Sequence, residues 1–543
     1  MSGTGSGIEL IERAAGHVGR TAIVDADGRH GYGDLLRASE AVARGLLDRA
    51  GTGDLAGERV ACMVDPGLRY AAVQWGVWRA GGIAVPLCLF HPPRELAYVL
   101  DDTSAALAVA DPGHRDPLEG LADERDVPFL GTGALLATGD TGGGAGSDRG
   151  AGPAAGPGAG ADAAPETSTA PAAPDDLPTV APDRPALILY TSGTTGRPKG
   201  VVHTHATLRA QITSLVEAWG WRPGDEILHV LPLHHTHGLV NALLCALWTG
   251  ASCRMRDGFD AADAWRTMAE TPVTLFMGVP TMYVQLIRRW READDARREE
   301  LSAAARGLRL AVSGSAALPV PVFEAWEEIA GGPLLERYGM TEIGMALSNP
   351  LEGERRPGHV GRPLPGVEVR LTDEDGDPIH GDETPGEIEV RGPNVFREYW
   401  ERPETTREAF REGGWFVTGD EAELRDGYYR ILGRKSVDII ITGGYKVSAL
   451  EVEEVLLRHP AVESCAVVGV DDPEWGERVC AAVVGSGVEP VPELAELRRW
   501  GKERLAPYKV PTRMRQVEAL PRNAVGKVTK PDVEAMFGDG GEG

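Results

Sequence analysis

The chain has 543 residues, 42% of them hydrophobic and 25% charged, a globular composition too long for one ordinary core, so two or more domains are expected. Its 55 basic and 81 acidic residues give a formal charge of −26, which argues against general binding of nucleic acid or of an anionic membrane, and leaves any anionic substrate to local basic groups. Six scattered cysteines without a C-x-x-C pair, and no apolar run of signal-peptide or membrane-spanning length, predict a reduced cytoplasmic protein with neither a disulfide framework nor a zinc site.

From Glu58 to Asp111 apolar runs (VACMV, GGIAVPLCL, ALAVA) alternate with helical segments around Tyr70 to Arg79 and Arg94 to Leu100, the order of β-α-β units in a parallel sheet. Residues 139–183 then turn to Gly, Ala, Pro, Ser and Asp, with Leu177 and Val180 as their large apolar residues, and are expected to be a flexible insertion.

The stretch LILYTSGTTGRPKGVVHTH, Leu187 to His205, follows directly. A buried strand at Leu187 to Leu189 leads into Thr191, Ser192, Gly193, Thr194, Thr195, Gly196 and Lys199, whose N–H groups, hydroxyls and ammonium can wrap a polyphosphate. The G-x-x-x-x-G-K-[ST] spacing fails, since Gly196 stands three residues before Lys199, and a Walker-type ATPase is disfavoured. Leu208, Ile212, Leu215, Val216 and Trp219 recur at helical spacing, so the unit is expected to be strand, phosphate loop, helix.

The strand and helix alternation continues through ILHVLPLHHTHGLVNALLCALW, TLFMGVPTMY and LRLAVSGSAAL, the last a buried strand ending in a small-residue turn. The clustered histidines His234, His235 and His237 invite a metal site, but no Cys or acidic partner is near in sequence. From Gly366, GVEVRLTDEDGDPI and GEIEVRG suit an antiparallel β subdomain, with Asp373 to Asp377 a solvated hairpin turn. Beyond Gly433 a helix, two strands, a helix and a strand near Met514 form a compact α+β unit, its boundary near Arg434 to Asp438.

The Leu187 to His205 stretch closely resembles the phosphate-binding signature of the adenylate-forming superfamily of acyl-CoA synthetases, luciferases and peptide-synthetase adenylation domains. Three further motifs stand in that family's order: Tyr338-Gly339-Met340-Thr341-Glu342, Thr418-Gly419-Asp420 with Gly433-Arg434, and Pro521-Arg522-Asn523-Ala524-Val525-Gly526-Lys527. The resemblance implies an α/β fold. Residues 1–434 would be a large N-terminal adenylation domain of parallel β-α-β sheets plus an antiparallel subdomain, and residues 435–543 a small mobile α+β domain. It implies ATP, Mg²⁺ and CoA. The phosphate loop and Ser315 would serve ATP; Tyr338 would pack on adenine, Thr341 bond the α-phosphate, Glu342 hold the metal, Asp420 and Arg434 grip the ribose, and Lys527 reach the α-phosphate and carboxylate. His237 would gate the reacting carboxylate, Thr236 line the acyl pocket, and Gly443, Gly444, Tyr445 and Lys446 face the pantetheine of CoA. His234 and His235 are left with capping or core hydrogen bonds.

Around Arg337 and across LHVLPLHHTHGLVNALLCALWTGASC the chain looks most like the malonyl-CoA-forming group of that superfamily. A small dicarboxylic acid, malonate with methylmalonate tolerated, is the expected substrate. In relatives that bind neutral acyl groups, the position before the motif tyrosine is commonly glycine, whereas a guanidinium there suits a second carboxylate bidentately. Met340 and Thr236 would limit bulk, and Arg254 or Arg256 remains open as the anion partner. One residue more than usual separates Arg434 from the glycine pair, which leaves Lys435, Ser436 and Val437 as hinge candidates.

Overall fold

A computed structural model describes residues 7–137, 176–191, 197–472, 475–523 and 527–538. Four sheets organise them. In the first, six parallel strands run in the order Leu335–Met340, Leu310–Ser313, Leu275–Gly278, Glu226–His229, Ser252–Met255 and Thr21–Asp25. Short antiparallel strands, Gly344–Ser348 with Arg362–Pro363 and Gly28–Gly31, close its two edges. Each central strand is buried along its length or nearly so, as parallel strands covered by helices on both faces must be.

The second sheet is built from the β-α-β units read in the sequence: Arg59–Met63, the helix Leu68–Arg79, Ile83–Pro86, the helix Pro93–Thr103 and Leu107–Ala110. Pro185–Thr191 joins it parallel to Ile83–Pro86. One apolar core runs between these two sheets, taking Val60, Ala84 and Leu187 from one and Ile227, Cys253 and Leu275 from the other. Helices Tyr32–Ala50, Leu68–Arg79 and His205–Ala218 fill the space, with Trp75, Trp78 and Trp219 fully buried and Trp78 Nε1 donating to the Ala186 carbonyl at 2.6 Å.

Two expectations are corrected. The phosphate stretch is not strand, loop, helix: Lys199–Thr204 forms a second strand, antiparallel to Pro185–Thr191, before the helix begins at His205. The β-branched Val201, Val202 and Thr204 favour extension, and Thr204 then starts the helix by accepting the Thr207 N–H at 3.1 Å. The insertion read over 139–183 lies outside the described residues up to 175, but 176–183 belong to the folded body. Val180 is 2% exposed in the main core, and the Pro182 carbonyl accepts the Ala206 N–H at 2.7 Å.

The third sheet, Glu368–Thr372, Gly386–Arg391, Trp415–Arg425 and Tyr428–Arg434 with the short Phe410–Arg411, is antiparallel throughout. At its first hairpin Asp373 Oδ1 accepts the Asp375 and Asp377 N–H groups at 3.0 and 2.9 Å, a turn rather than a calcium loop. After Arg434 a turn leads to the fourth sheet, in which Ile439–Thr442, Tyr445–Ser448, Val462–Asp472, Gly476–Gly485 and Arg513–Gln516 pack with helices Ala449–Leu456 and Leu494–Lys502 around a separate core centred on Val452, Leu456, Val467 and Val483.

Candidate active site

The strand pair that flanks the phosphate loop places Thr191 opposite Lys199. Ser192, Gly193, Thr194, Thr195 and Gly196 lie outside the described residues. The Lys199 ammonium sits 4.5 Å from the centre of the Tyr399 ring, in reach of its negative face. Tyr399 arrives on the two-residue strand Glu398–Tyr399, which pairs with Val201 and Val202, and its hydroxyl donates to Glu342 Oε1 at 3.0 Å. Glu342 is 5% exposed, and burial raises its pKa against the opposing effect of Tyr399, Arg434 and Lys199. Just before it, the Thr341 carbonyl accepts from His203 Nε2 at 2.8 Å. Burial lowers His203 to about 4, so the neutral ring donates from Nε2.

Tyr338 and Arg434 converge on one carboxylate. The Tyr338 hydroxyl donates to Asp420 Oδ2 at 2.6 Å and Arg434 Nε donates to Asp420 Oδ1 at 2.9 Å. Asp420 and Arg434 face each other in the register of strands Trp415–Arg425 and Tyr428–Arg434, which explains how motifs 14 residues apart share one site.

Next in the chain to Tyr338, Arg337 belongs to a group of buried polar atoms without partners. Arg337 is 3% exposed; its Nη2 donates to Ser315 Oγ at 3.4 Å, and its Nε has no partner. A Cβ on Gly314 would stand 2.5 Å from Arg337 Cζ, so glycine there makes room for the guanidinium. Ser315 adopts φ +70, a left-handed conformation uncommon outside glycine, and its hydroxyl lies 3.2 Å from His237 Nδ1. Thr236 Oγ1 and His237 Nε2 are also buried without partners, and Met340 packs at the edge of the main core. Loss of water lowers Arg337 to about 9 and, with the Arg337 charge next, holds His237 well below its usual value. A site of one cation and several unmet donors calls for an anion. The other two candidates for that role are engaged elsewhere, Arg254 with Glu226 at 2.6 Å and Arg256 with Asp263 at 3.1 Å. Glu336 does not pair with Arg337 either: its Oε1 accepts the Leu318 N–H at 3.0 Å.

Capping and core hydrogen bonding do not describe His234 and His235. Both leave Nε2 buried without a partner, and their rings lie 4.2 Å apart. The charge of Lys527 reaches His235, which burial and then that charge lower to about 4. His237 opens a π-wound stretch, His237–Leu244, and faces Ser315, with the charge of Arg337 acting on it. The cluster itself was the signal that these imidazoles share one region. Tyr399 and His203 had no such signal, because strand pairing and a carbonyl contact bring them in.

Lys527 lies on a loop whose backbone N–H donates to Asn523 Oδ1 at 3.0 Å. The residue as a whole is exposed, but its ammonium end lies among protein groups: loss of water, then the charges of Arg434 and Arg337, lower its pKa, with Asp420 opposing. Gly443 and Gly444, at φ +56 and +82, turn the chain between strands Ile439–Thr442 and Tyr445–Ser448. That turn is held against the antiparallel sheet, Lys446 meeting Glu374 at 2.7 Å and Glu421 at 3.6 Å, while Tyr445 stacks on Tyr508 at 4.4 Å.

Among the described residues no group of three or more His, Cys, Asp or Glu could hold a metal by itself. A single buried carboxylate, Glu342, fits an ion that arrives on phosphate oxygens and keeps water as its other ligands, the usual habit of Mg²⁺. No helix among the described residues is long and apolar enough to cross a membrane.

The family model described as AMP-binding enzyme matches residues 10–400, and that described as AMP-binding enzyme C-terminal domain matches residues 451–527. A Xenopus laevis protein named Malonate--CoA ligase ACSF3, mitochondrial, is 43% identical over 98% of this chain and 92% of its own length. Its Homo sapiens counterpart of the same name is 44% identical over 96% and 90%. Among solved structures, ATP-bound MatB from Rhodopseudomonas palustris superposes with a TM-score of 0.83 at 33% identity, covering 98% of this chain and 99% of that one. The word mitochondrial in the names of these animal relatives overturns the cytoplasmic expectation. That expectation rested on the lack of an apolar leader, and organelle import is read from amphipathic basic segments that an apolar-run search does not see.

Proposed function

Since the chain belongs to the AMP-binding enzyme family, we propose that it is an AMP-forming ligase that joins malonate to CoA at the expense of ATP. The observation that carries the choice of acid is Arg337, a buried guanidinium with an unmet Nε, linked through Ser315 to His237, whose Nε2 is also unmet. One carboxylate of malonate meets Arg337 and Ser315; the other points toward Lys527, with His237 beside it. Met340 and Thr236 confine the central carbon, so methylmalonate is tolerated and larger branches are not.

In the first step an oxygen of that second carboxylate attacks the α-phosphorus of ATP and pyrophosphate leaves. The loop from Thr191 to Lys199 wraps the β- and γ-phosphates, Thr341 and Lys527 bond the α-phosphate, and Asp420 with Arg434 holds the ribose while Tyr338 borders adenine. Positioning and charge stabilisation carry such a transfer. Glu342 would hold Mg²⁺, which would supply charge neutralisation on the phosphates. In the second step the thiol sulfur of CoA attacks the acyl carbon as its proton passes to solvent, the bond from that carbon to the phosphate oxygen breaks, and AMP leaves. For this the 435–543 unit turns about Lys435 to Val437 and brings Gly443, Gly444, Tyr445 and Lys446 to the pantetheine.

The test is pyrophosphate release from a panel of mono- and dicarboxylic acids with CoA present. Malonate is expected to lead, methylmalonate to follow, and acetate and butyrate to be poor; a monocarboxylic acid in first place overturns the substrate assignment.

A further inference from the structure

The loop that carries Lys527 returns to its unit through Lys530, the first residue of the last helix, Lys530–Gly538. The Lys530 side chain is 12% exposed. Its ammonium donates to Glu453 Oε1 and, at 2.6 Å, to the Val467 carbonyl, and lies 3.6 Å from Asp438 Oδ1. Glu453 Oε1 also accepts the Val467 N–H at 2.7 Å, so the trio is tied to the fourth sheet. The second oxygen of Asp438 faces the other way and accepts the Arg434 N–H at 3.2 Å. A Cβ on Gly433, which has φ +137, would stand 2.4 Å from Asp438 Cβ, so glycine at 433 permits the close approach. One carboxylate thus touches the backbone of the arginine that grips Asp420 and, on its far side, the root of the Lys527 loop.

We propose that Asp438 is a positioning residue that sets Arg434 and Lys527 in register for adenylate formation, with Lys530 holding its carboxylate. This rests on the two-step reading given above. Lys530, Glu453, Val467 and Asp438 all follow Lys435 to Val437 in the chain, so their mutual bonds travel together when that segment changes its backbone angles. The bond from Arg434 N–H to Asp438 spans the segment, and it gives way in the same movement. Asp438 therefore favours the arrangement that makes the adenylate and is released in the one that makes the thioester.

The experiment measures both half-reactions: single-turnover adenylate formation from ATP and acid, and thioester formation from supplied acyl-adenylate and CoA. Asp438→Ala is expected to slow adenylate formation about tenfold to a hundredfold while thioester formation stays within about twofold of wild type. Lys530→Met alone leaves Glu453 buried without its counter-charge, so the double variant Lys530→Met/Glu453→Gln is measured instead, with the same expected imbalance, and Lys530→Arg is expected to restore it. Equal losses in the two half-reactions, or normal adenylate formation by folded Asp438→Ala, overturn the proposal. The ratio is read with whichever acid the wild type adenylates best, so a wrong substrate and a wrong role for Asp438 fail separately.

Discussion

Arg337 Nη2 reaches Ser315 Oγ at 3.4 Å, a long bond, while Arg337 Nε is buried with none. A guanidinium held so far short of its acceptors is waiting for an anion. Two charge-assisted bonds of about 1.5–3 kcal/mol each would favour malonate over a monocarboxylic analogue without the second carboxylate by about a hundredfold or more. Arg337→Ala is expected to lose that factor in kcat/KM for malonate and to change little for butyrate. Measuring malonate, methylmalonate and butyrate on both proteins decides it; a variant that keeps full malonate selectivity sinks the assignment.

Lys527→Ala is expected to cripple adenylate formation and to spare conversion of supplied malonyl-adenylate to malonyl-CoA. The wild type adds a pH signature. If the ammonium is the working form, as proposed, its pKa lowered from 10.5 means that adenylate formation should fall with rising pH earlier than an ordinary lysine would allow. A pH profile of each half-reaction checks this: the alkaline limb belongs to the first step and is absent from the alanine variant.

Proline removes backbone freedom at the segment about which the small unit is proposed to turn. The Lys435 N–H already holds the Gly419 carbonyl at 3.0 Å, so proline at 435 would also cost that bond, and Ser436→Pro is the cleaner variant. It should slow the thioester step more than adenylate formation, with an unchanged circular dichroism spectrum. Equal slowing of both steps would argue against rotation at this segment.

Glu336 is 3% exposed with Oε2 unpartnered, and burial raises its pKa from 4.5 to about 8. Between those values the folded protein keeps a proton that the unfolded chain releases. Stability contributed by the neutral group is therefore full below 4.5 and declines as pH rises toward 8. Glu336→Gln retains an acceptor for the Leu318 N–H and should flatten that decline. Urea midpoints at pH 5 and pH 8.5, compared between the two proteins, would reveal it; parallel declines would refute the neutral carboxyl.

The parallel units from Arg59 to Ala110 were legible because alternation of apolar runs with helical segments is a local signal. The strand Lys199–Thr204 was not, since a Gly and Lys beginning and a histidine near its end blur the run, and its extension is decided by pairing with Pro185–Thr191 on one side and Glu398–Tyr399 on the other. In the site, the resemblance named Asp420 and Arg434, which the structure brings to 2.9 Å of each other. Nothing in the sequence revealed Tyr399, which comes from 200 positions after Lys199.

That tyrosine has a kinetic consequence. With its ring under the Lys199 ammonium and its hydroxyl on Glu342, Tyr399 keeps a cation and a carboxylate of the same site occupied separately rather than by each other. Had the two closed into an ion pair, each arriving nucleotide would first have to break it, and the electrostatic attraction that steers an anion inward would be partly cancelled at the entrance. Held apart, and with the roles proposed above, the positive group would face incoming phosphate and the negative group the ion that travels with it. Tyr399→Phe removes the hydroxyl and keeps the ring, so it would register first in the association rate of ATP rather than in the turnover of bound nucleotide.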